Sequence, residues 1–523
     1  MEKVKQTLRD SASARWIALI LVSGLMFGTY WFQDFFGGLK GLMESEMGFT
    51  SEEFGRLIGL TTIANMFGMI IIGGMILDKW SIRAAGLLFG GLATIGAAIT
   101  AMAAHGVFGE GHKITLTMMI VGRIMFGSGL EVVCVVATRT IVKWFKGYEL
   151  ALAMAVNMGF GRLGTAIAMA VSIDISKGVV APSVSFAATL IGIGLIMFLI
   201  YCIMDVKLDR QDAEVSSAPK EEFKFTDLFK LLKNPSFMYI AFLCLAFYAA
   251  VFPFIQYAPD LLVNKYGFSY DLPADGRGSI VLFGSTALGN ASIIVAIWAF
   301  GLAFSMVPAN IKKRRGKLIS IGVILVLFVL FIGSLWEDTL SVWLKNGPKT
   351  ASLIPLGTIL FTPIFGNMVD KKGKAASIMI LGSLLLIFAH VALSVFNSVA
   401  LGYLGLLSLG IAFSLVPAAM WPSVAKIVPE SRLGTAYATM FTIQNWGLGL
   451  FFWGIGAVLD LSNKADLEAI RAGEKVYNYT TPILMLVVCG VISIFLAYKL
   501  LQADRKAGYG LELPSGQAGV PQE

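Results

Sequence analysis

The chain has 523 residues, of which 57% are hydrophobic and 14% charged, and it carries a net charge of +8. Apolar runs of about 20 residues, the length that crosses a bilayer as a helix, recur along it and exclude a soluble globule. The short alternating segments of a β-barrel are absent, and the positive charge sits between apolar runs, which gives no case for nucleic acid.

The N-terminal MEKVKQTLRD leads into a first span without a small-residue cleavage site and reads as retained. Spans are predicted near 15–37, 53–77, 83–104, 115–142, 149–171 and 182–204. A polar stretch, 206–236, follows, in which FTDLFKLL has the pattern of an amphipathic helix lying at the membrane surface. Further spans are predicted at 237–258, 278–307, 318–337, 351–369, 375–396, 400–425, 434–457 and 478–502. The fold class is therefore an all-α polytopic membrane protein with fourteen transmembrane helices. With the N-terminus inside, cytoplasmic segments hold about 26 Lys/Arg against about 10 on the other side, in agreement with the positive-inside rule.

Internal repetition divides the chain. GMILDKW (74–80) ends the second span, and GNMVDKKGK (366–374) ends its counterpart; both show Gly, three residues, Asp, Lys. KGYELALAM (146–154) pairs with PESRLGTAY (429–437) at an offset of 283. The spans 278–307 and 318–337 have no counterpart, and removing both leaves six plus six. The expected organisation is a six-helix bundle at 1–205, a linker with an amphipathic helix at 206–236, and a second six-helix bundle from 237–258 and 351–502. An inserted hairpin falls within 278–337 and a cytoplasmic tail at 503–523. Such repeats build many transporters, with the substrate near the membrane midplane between halves.

Glu131 in GSGLEVVC and Arg162 in GFGRLG are charges within spans, where they are costly and functional by default. Glu131 lies 15 residues before Lys146, in the turn joining spans four and five, and Arg162 lies 16 after it. At the helical rise each stands roughly 22–24 Å from the turn, at similar depth on neighbouring antiparallel helices. An acid and a guanidinium across a cavity would complement the ammonium and carboxylate of a dipeptide, which are roughly 5–7 Å apart. The alternative is a direct ion pair of Glu131 with Arg162, Arg123 or Arg139 that only holds the bundle together. Gly127, Glu131, Cys134 and Thr138 share one helix face that either lines a cavity or packs closely.

Asp34 is the first-span partner for these charges, as a substrate group or as an outer-gate carboxylate, and Tyr30 sits one turn before it. Asn445 occupies the place equivalent to Arg162 in the second half, with Gln444 beside it. Both amides fit either hydrogen bonding to a peptide backbone or bonding between helices. Tyr248 and Trp421 are candidate aromatic walls, against the commoner role of packing. Asp78, Lys79, Arg83, Asp370 and Lys371 face the cytoplasm as gate residues, and Arg123 stands 23 residues before the turn, nearer the outer side. The four cysteines lie inside apolar segments and read as apolar filler. His105, His112 and His390 lack metal spacing, so neither metal nor cofactor is expected. No Walker loop or nucleophile elbow is present, so an ATP-driven pump and an enzyme are not expected.

The Gly-xxx-Asp-Lys loops and GRIMFGSG (122–129) resemble the motifs of the major facilitator superfamily, which implies a role for Arg123 in coupling or in packing of span one. GRIMFGSGLE, WFKGYELALAM, NMGFGRLGTA, FYAAVFPFI with NKYGFS, and AAMWPSVAKIVPESRLGTAYATMFTIQNWGLG resemble the branch that contains the lysosomal dipeptide transporter of animals and bacterial relatives. That resemblance implies the two-bundle major facilitator fold, alternating access and dipeptides or similar small zwitterions as substrate. In that branch a span-four glutamate and a span-five arginine hold the peptide's charged ends, and the matching positions are Glu131 and Arg162. The alternative is a proton-coupled organic-anion (carboxylate) porter, with Arg162 on the anion, Glu131 as the protonation switch and protons as co-substrate. The remaining expectations are a monomer in the lipid bilayer of a bacterial inner (plasma) membrane, with both termini cytoplasmic.

Overall fold

The computed structural model describes residues 7–109, 111–145, 148–212, 225–429 and 432–514. Lys146, Gly147 and the Asp78 side chain lie outside them, as do residues 213–224 of the linker and the end of the tail. The described residues form helices joined by short loops. Span 1 is Ala12–Asp34, prolonged by Phe36–Met47. Span 2 runs from Ser51 to Lys79 in pieces, and spans 3 to 6 are Ile82–Ala104, His112–Phe145, Leu150–Ser176 and Val180–Asp212. A short helix, Phe225–Leu232, stands where the amphipathic segment is expected, before span 7 at Pro235–Tyr266. The hairpin helices are Thr286–Asn310 and Arg314–Leu335. Spans 8 to 12 are Leu353–Lys372, Ala375–Val395, Val399–Ile427, Leu433–Ser462 and Thr480–Ala507.

Among the described residues twelve helices are long and apolar enough to cross a membrane, or thirteen when the bent span 2 is included. The expected count of fourteen is thus not confirmed by length and composition. Span 11, with 30 residues, has the length, but its run through Gln444 and Asn445 dilutes the apolar character.

The packing repeats itself. Span 1 lies on spans 5 and 6 as span 7 lies on spans 11 and 12, and span 3 lies on spans 4 and 6 as span 9 lies on spans 10 and 12. Among the described residues the halves meet along two seams, span 2 against span 11 and span 5 against span 8, and where the extension of span 1 meets span 7. The first hairpin helix covers the second seam, contacting spans 5 and 8, with Trp298 edge-on to Phe160 at 5.2 Å. The second hairpin helix presents Leu318, Val323, Val326 and Leu330 outward, as a lipid-facing helix would.

Gly127, one turn before Glu131, brings span 4 against span 2, because a Cβ there would collide with the Thr61 carbonyl. Gly127→Ala is expected to cost about 1–3 kcal/mol through overpacking, read as a lower thermal midpoint of the purified protein; an unchanged midpoint contradicts this packing.

Candidate substrate-binding site

Span 4 turns Glu131 and Cys134 toward span 1, where the Cys134 thiol lies 3.8 Å from the Tyr30 hydroxyl. The Glu131 carboxylate interacts with the side chain of Asn445 in span 11, whose amide also donates to the Phe441 carbonyl at 2.9 Å. An acid of the first half thus meets a neutral amide of the second. No ion pair joins Glu131 to Arg162 or Arg123 among the described residues.

Arg162 projects from span 5 toward the second half. Its guanidinium lies 4.4 Å from the centre of the Phe413 ring and 5.3 Å from that of Phe252. Its Nη1 is buried without a hydrogen-bond partner. Tyr30, Cys134, Asp34 and Tyr248 are all within its electrostatic reach. Tyr248 stacks on Phe252 at 5.3 Å, and its hydroxyl accepts from the Trp421 indole N–H at 3.0 Å. Trp421 in turn stacks on Phe441 at 4.9 Å. A cation thus faces an aromatic wall built by spans 7, 10 and 11, with one donor uncommitted. Phe413→Leu, which keeps bulk and removes the ring, is expected to raise the substrate KM about three- to tenfold through loss of roughly 0.5–1.5 kcal/mol of cation–π support; an unchanged KM in an uptake assay removes Phe413 from the site.

The other candidates are placed differently. Asp34 is buried and accepts from Thr165 of span 5 at 2.6 Å and from Gln256 of span 7 at 2.7 Å, so it joins the halves. Gln444 faces Cys244 of span 7, whose thiol is 3.4 Å from its side-chain oxygen, and it does not join Glu131. Arg123 is fully buried, donates to the Phe32 carbonyl at 2.8 Å and lies over Phe36 and Phe126, a packing post for span 1. Phe252 and Phe413, which sequence reasoning missed, become legible only once the second half faces Arg162; Phe252 did lie within the quoted VFPFI.

The two ends of the bundle differ. At the end carrying both termini, Arg83 and Lys143 hold Asp205 (2.7 Å each) and Asp209 (2.5 Å each) of span 6, all within the first half. Arg83 therefore does not pair across the halves, because span 6 returns its carboxylates beside span 3. Lys79, Asp370 and Lys371 are exposed at this end, with Lys426 of span 10 near Asp370. At the far end, bonds cross between halves. Buried Lys40 donates to Asp260 of span 7 at 2.8 Å and to Glu44 at 2.7 Å, while Tyr270 and Tyr479 donate to the same Asp260. Lys349, before span 8, meets Asp174 of span 5 at 3.0 Å, and Asn290 of the hairpin donates to that carboxylate at 2.7 Å. The Glu52 amide donates to Asp460 of span 11 at 2.7 Å. Four free cysteines are present. The described residues hold no group of three or more His, Cys, Asp or Glu arranged for a metal.

Comparison with known proteins agrees with this architecture. The lysosomal dipeptide transporter MFSD1 of Danio rerio is 25% identical over 468 residues, covering 87% of this chain and 82% of the relative. The Homo sapiens protein of the same name is also 25% identical over 468 residues. A glycerol-3-phosphate transporter of Bacillus subtilis is 24% identical over 387 residues, covering 68% of this chain and 79% of the relative. Among solved structures, the nucleoside transporter NupG superposes with a TM-score of 0.57 at 15% identity, covering 93% of this chain and 99% of that one. A bacterial homologue of the human lysosomal transporter Spinster, in an inward-facing and occupied conformation, gives 0.55 at 12% identity over 95% and 98%. The model of the Major Facilitator Superfamily matches residues 19–354. With two packed six-helix repeats and that match over more than half its length, the chain belongs to the major facilitator superfamily and is a multi-pass membrane transporter.

Proposed function

We propose that the chain carries dipeptides or similar small zwitterions across the membrane by alternating access. The observation that carries this reading is the separation of Glu131 from Arg162. The acid is matched to a neutral amide and the guanidinium lies on aromatic rings with Nη1 unpartnered, so the two charges are not spent on each other. A peptide ammonium would replace Asn445 on Glu131, and a carboxylate would take the free edge of Arg162 bidentately. The wall of Tyr248, Phe252, Phe413 and Trp421 excludes water from that pair, which strengthens both contacts. The relatives named as dipeptide transporters support the same substrate class.

The halves are tied at the end away from the termini, so in this state exchange of substrate takes place at the terminal end. Positive charge concentrated there supports a cytoplasmic side for that end, and the membrane is read as a plasma (inner) membrane. The carrier works as a monomer, since each chain contains both halves of the site. Uptake of a labelled dipeptide panel by proteoliposomes, with pH clamped on each side, tests the reading. Saturable dipeptide uptake is expected. Exchange of carboxylates or phosphate esters without dipeptide uptake would replace it by the anion-porter reading.

A further inference from the structure

Span 2 is broken at the level of the candidate site. Ser51–Met66 and Met69–Leu77 meet at 52°, with Gly68 at φ +86 between them and Phe67 exposed. Two bonds hold this break. The Trp446 indole N–H of span 11, in the other half, donates to the Met66 carbonyl at 2.9 Å. The Asn65 amide donates to the Gly127 carbonyl at 3.0 Å, one turn before Glu131. In a continuous helix the Met66 carbonyl would accept from the Ile70 amide. At membrane depth a backbone carbonyl without a partner is costly. Trp446 therefore supplies the donor that the break removes, and Gly68 supplies the left-handed backbone that other residues adopt at a cost.

The position of the break gives it meaning. Above it, span 2 is fused to span 11 by close approach: a Cβ at Gly456 would collide with the Ser51 carbonyl, and one at Gly449 would crowd Thr62. Below it, the segment Met69–Lys79 turns by 52° from the line of the piece above and keeps a sparser contact with span 11. Trp446 is also the chain neighbour of Asn445, the residue that meets Glu131.

We propose that Trp446, with Asn65 and Gly68, is a positioning residue that holds span 2 bent in this state. When substrate displaces Asn445 from Glu131, span 11 turns, Trp446 releases Met66, and span 2 straightens to close the terminal end of the seam. This coupling rests on the transport reading above; the bend and what holds it do not.

The test labels positions 80 and 434 with nitroxides through unnatural amino acids, leaving the native cysteines in place, and measures their separation in nanodiscs without substrate. The segment below the break is roughly 16 Å long, so straightening through 52° moves its tip by about 14 Å. Trp446→Phe, which removes only the donor, and Gly68→Ala, which disfavours the left-handed backbone, are each expected to add a population about 10–14 Å shorter. A wild-type distribution in either folded variant, or shifts of opposite sign, overturns the proposal; if one variant fails to fold, the other decides. In uptake, Trp446→Phe is expected to lower Vmax at least fivefold while KM changes less than twofold; equal loss in both would make Trp446 a substrate contact instead. Shortened distances in a protein that moves no dipeptide would uphold the hinge and overturn the substrate reading alone.

Discussion

Arg162→Ala is expected to lower dipeptide uptake about 100-fold, and Arg162→Lys to restore little of it. Charge-assisted hydrogen bonds contribute about 1.5–3 kcal/mol each, and about 1.4 kcal/mol is a factor of ten. Lysine keeps the charge but loses both the planar fork and the face that lies on Phe413 and Phe252. Glu131→Gln keeps shape and loses charge, and a tenfold loss is expected. The informative measurement crosses variants with ligands. A carboxyl-amidated dipeptide should be transported poorly by the parent protein and hardly worse by Arg162→Ala, and an N-acetylated one should behave likewise with Glu131→Gln. Should Arg162→Ala reduce the amidated peptide as much as the free one, Arg162 does not read the carboxylate.

Lys40→Met is expected to reduce transport at least 30-fold while leaving the midplane site untouched. Lys40 is fully buried between Glu44 and Asp260, and the latter also receives Tyr270 and Tyr479. Removing one partner of a buried pair costs about 3–5 kcal/mol because the other charge is left uncompensated. That cost falls on the state in which the far end is closed, where span 1's extension and span 7 meet, so the cycle is expected to stall in the opposite state. Adding Asp260→Asn to Lys40→Met removes one stranded charge and is expected to recover about tenfold of the loss, by the logic of a double-mutant cycle. Strictly multiplicative losses in the double variant would mean that the two residues do not act as a pair.

Glu131 and Arg162 were legible because charges in apolar helices stand out and helical rise fixes their depth. Their partners were not, because a partner is set by which helix lies opposite. Asn445 and Gln444 are neighbours in the chain, yet one meets Glu131 and the other Cys244, since successive helical residues point about 100° apart. Arg83 is read from the loop motif, but its carboxylates come from span 6, more than 120 residues on. Lys40 is easily taken for a loop residue; only the helical extension of span 1 buries it.

Sequence alone determined the membrane class and the recurrence of membrane-length apolar helices, because hydropathy over about 20 residues is a local quantity, while the repeated motifs supplied the expectation of two halves with an inserted pair. Tertiary structure decided which end is tied shut, that the acid and the guanidinium stay apart, and that span 2 breaks at Gly68. The run MFGMIIIGG is apolar throughout and contains several glycines, so nothing local marks which one bends. The bend exists where span 11 brings a Trp446 donor to the Met66 carbonyl, a contact 380 residues apart in the chain.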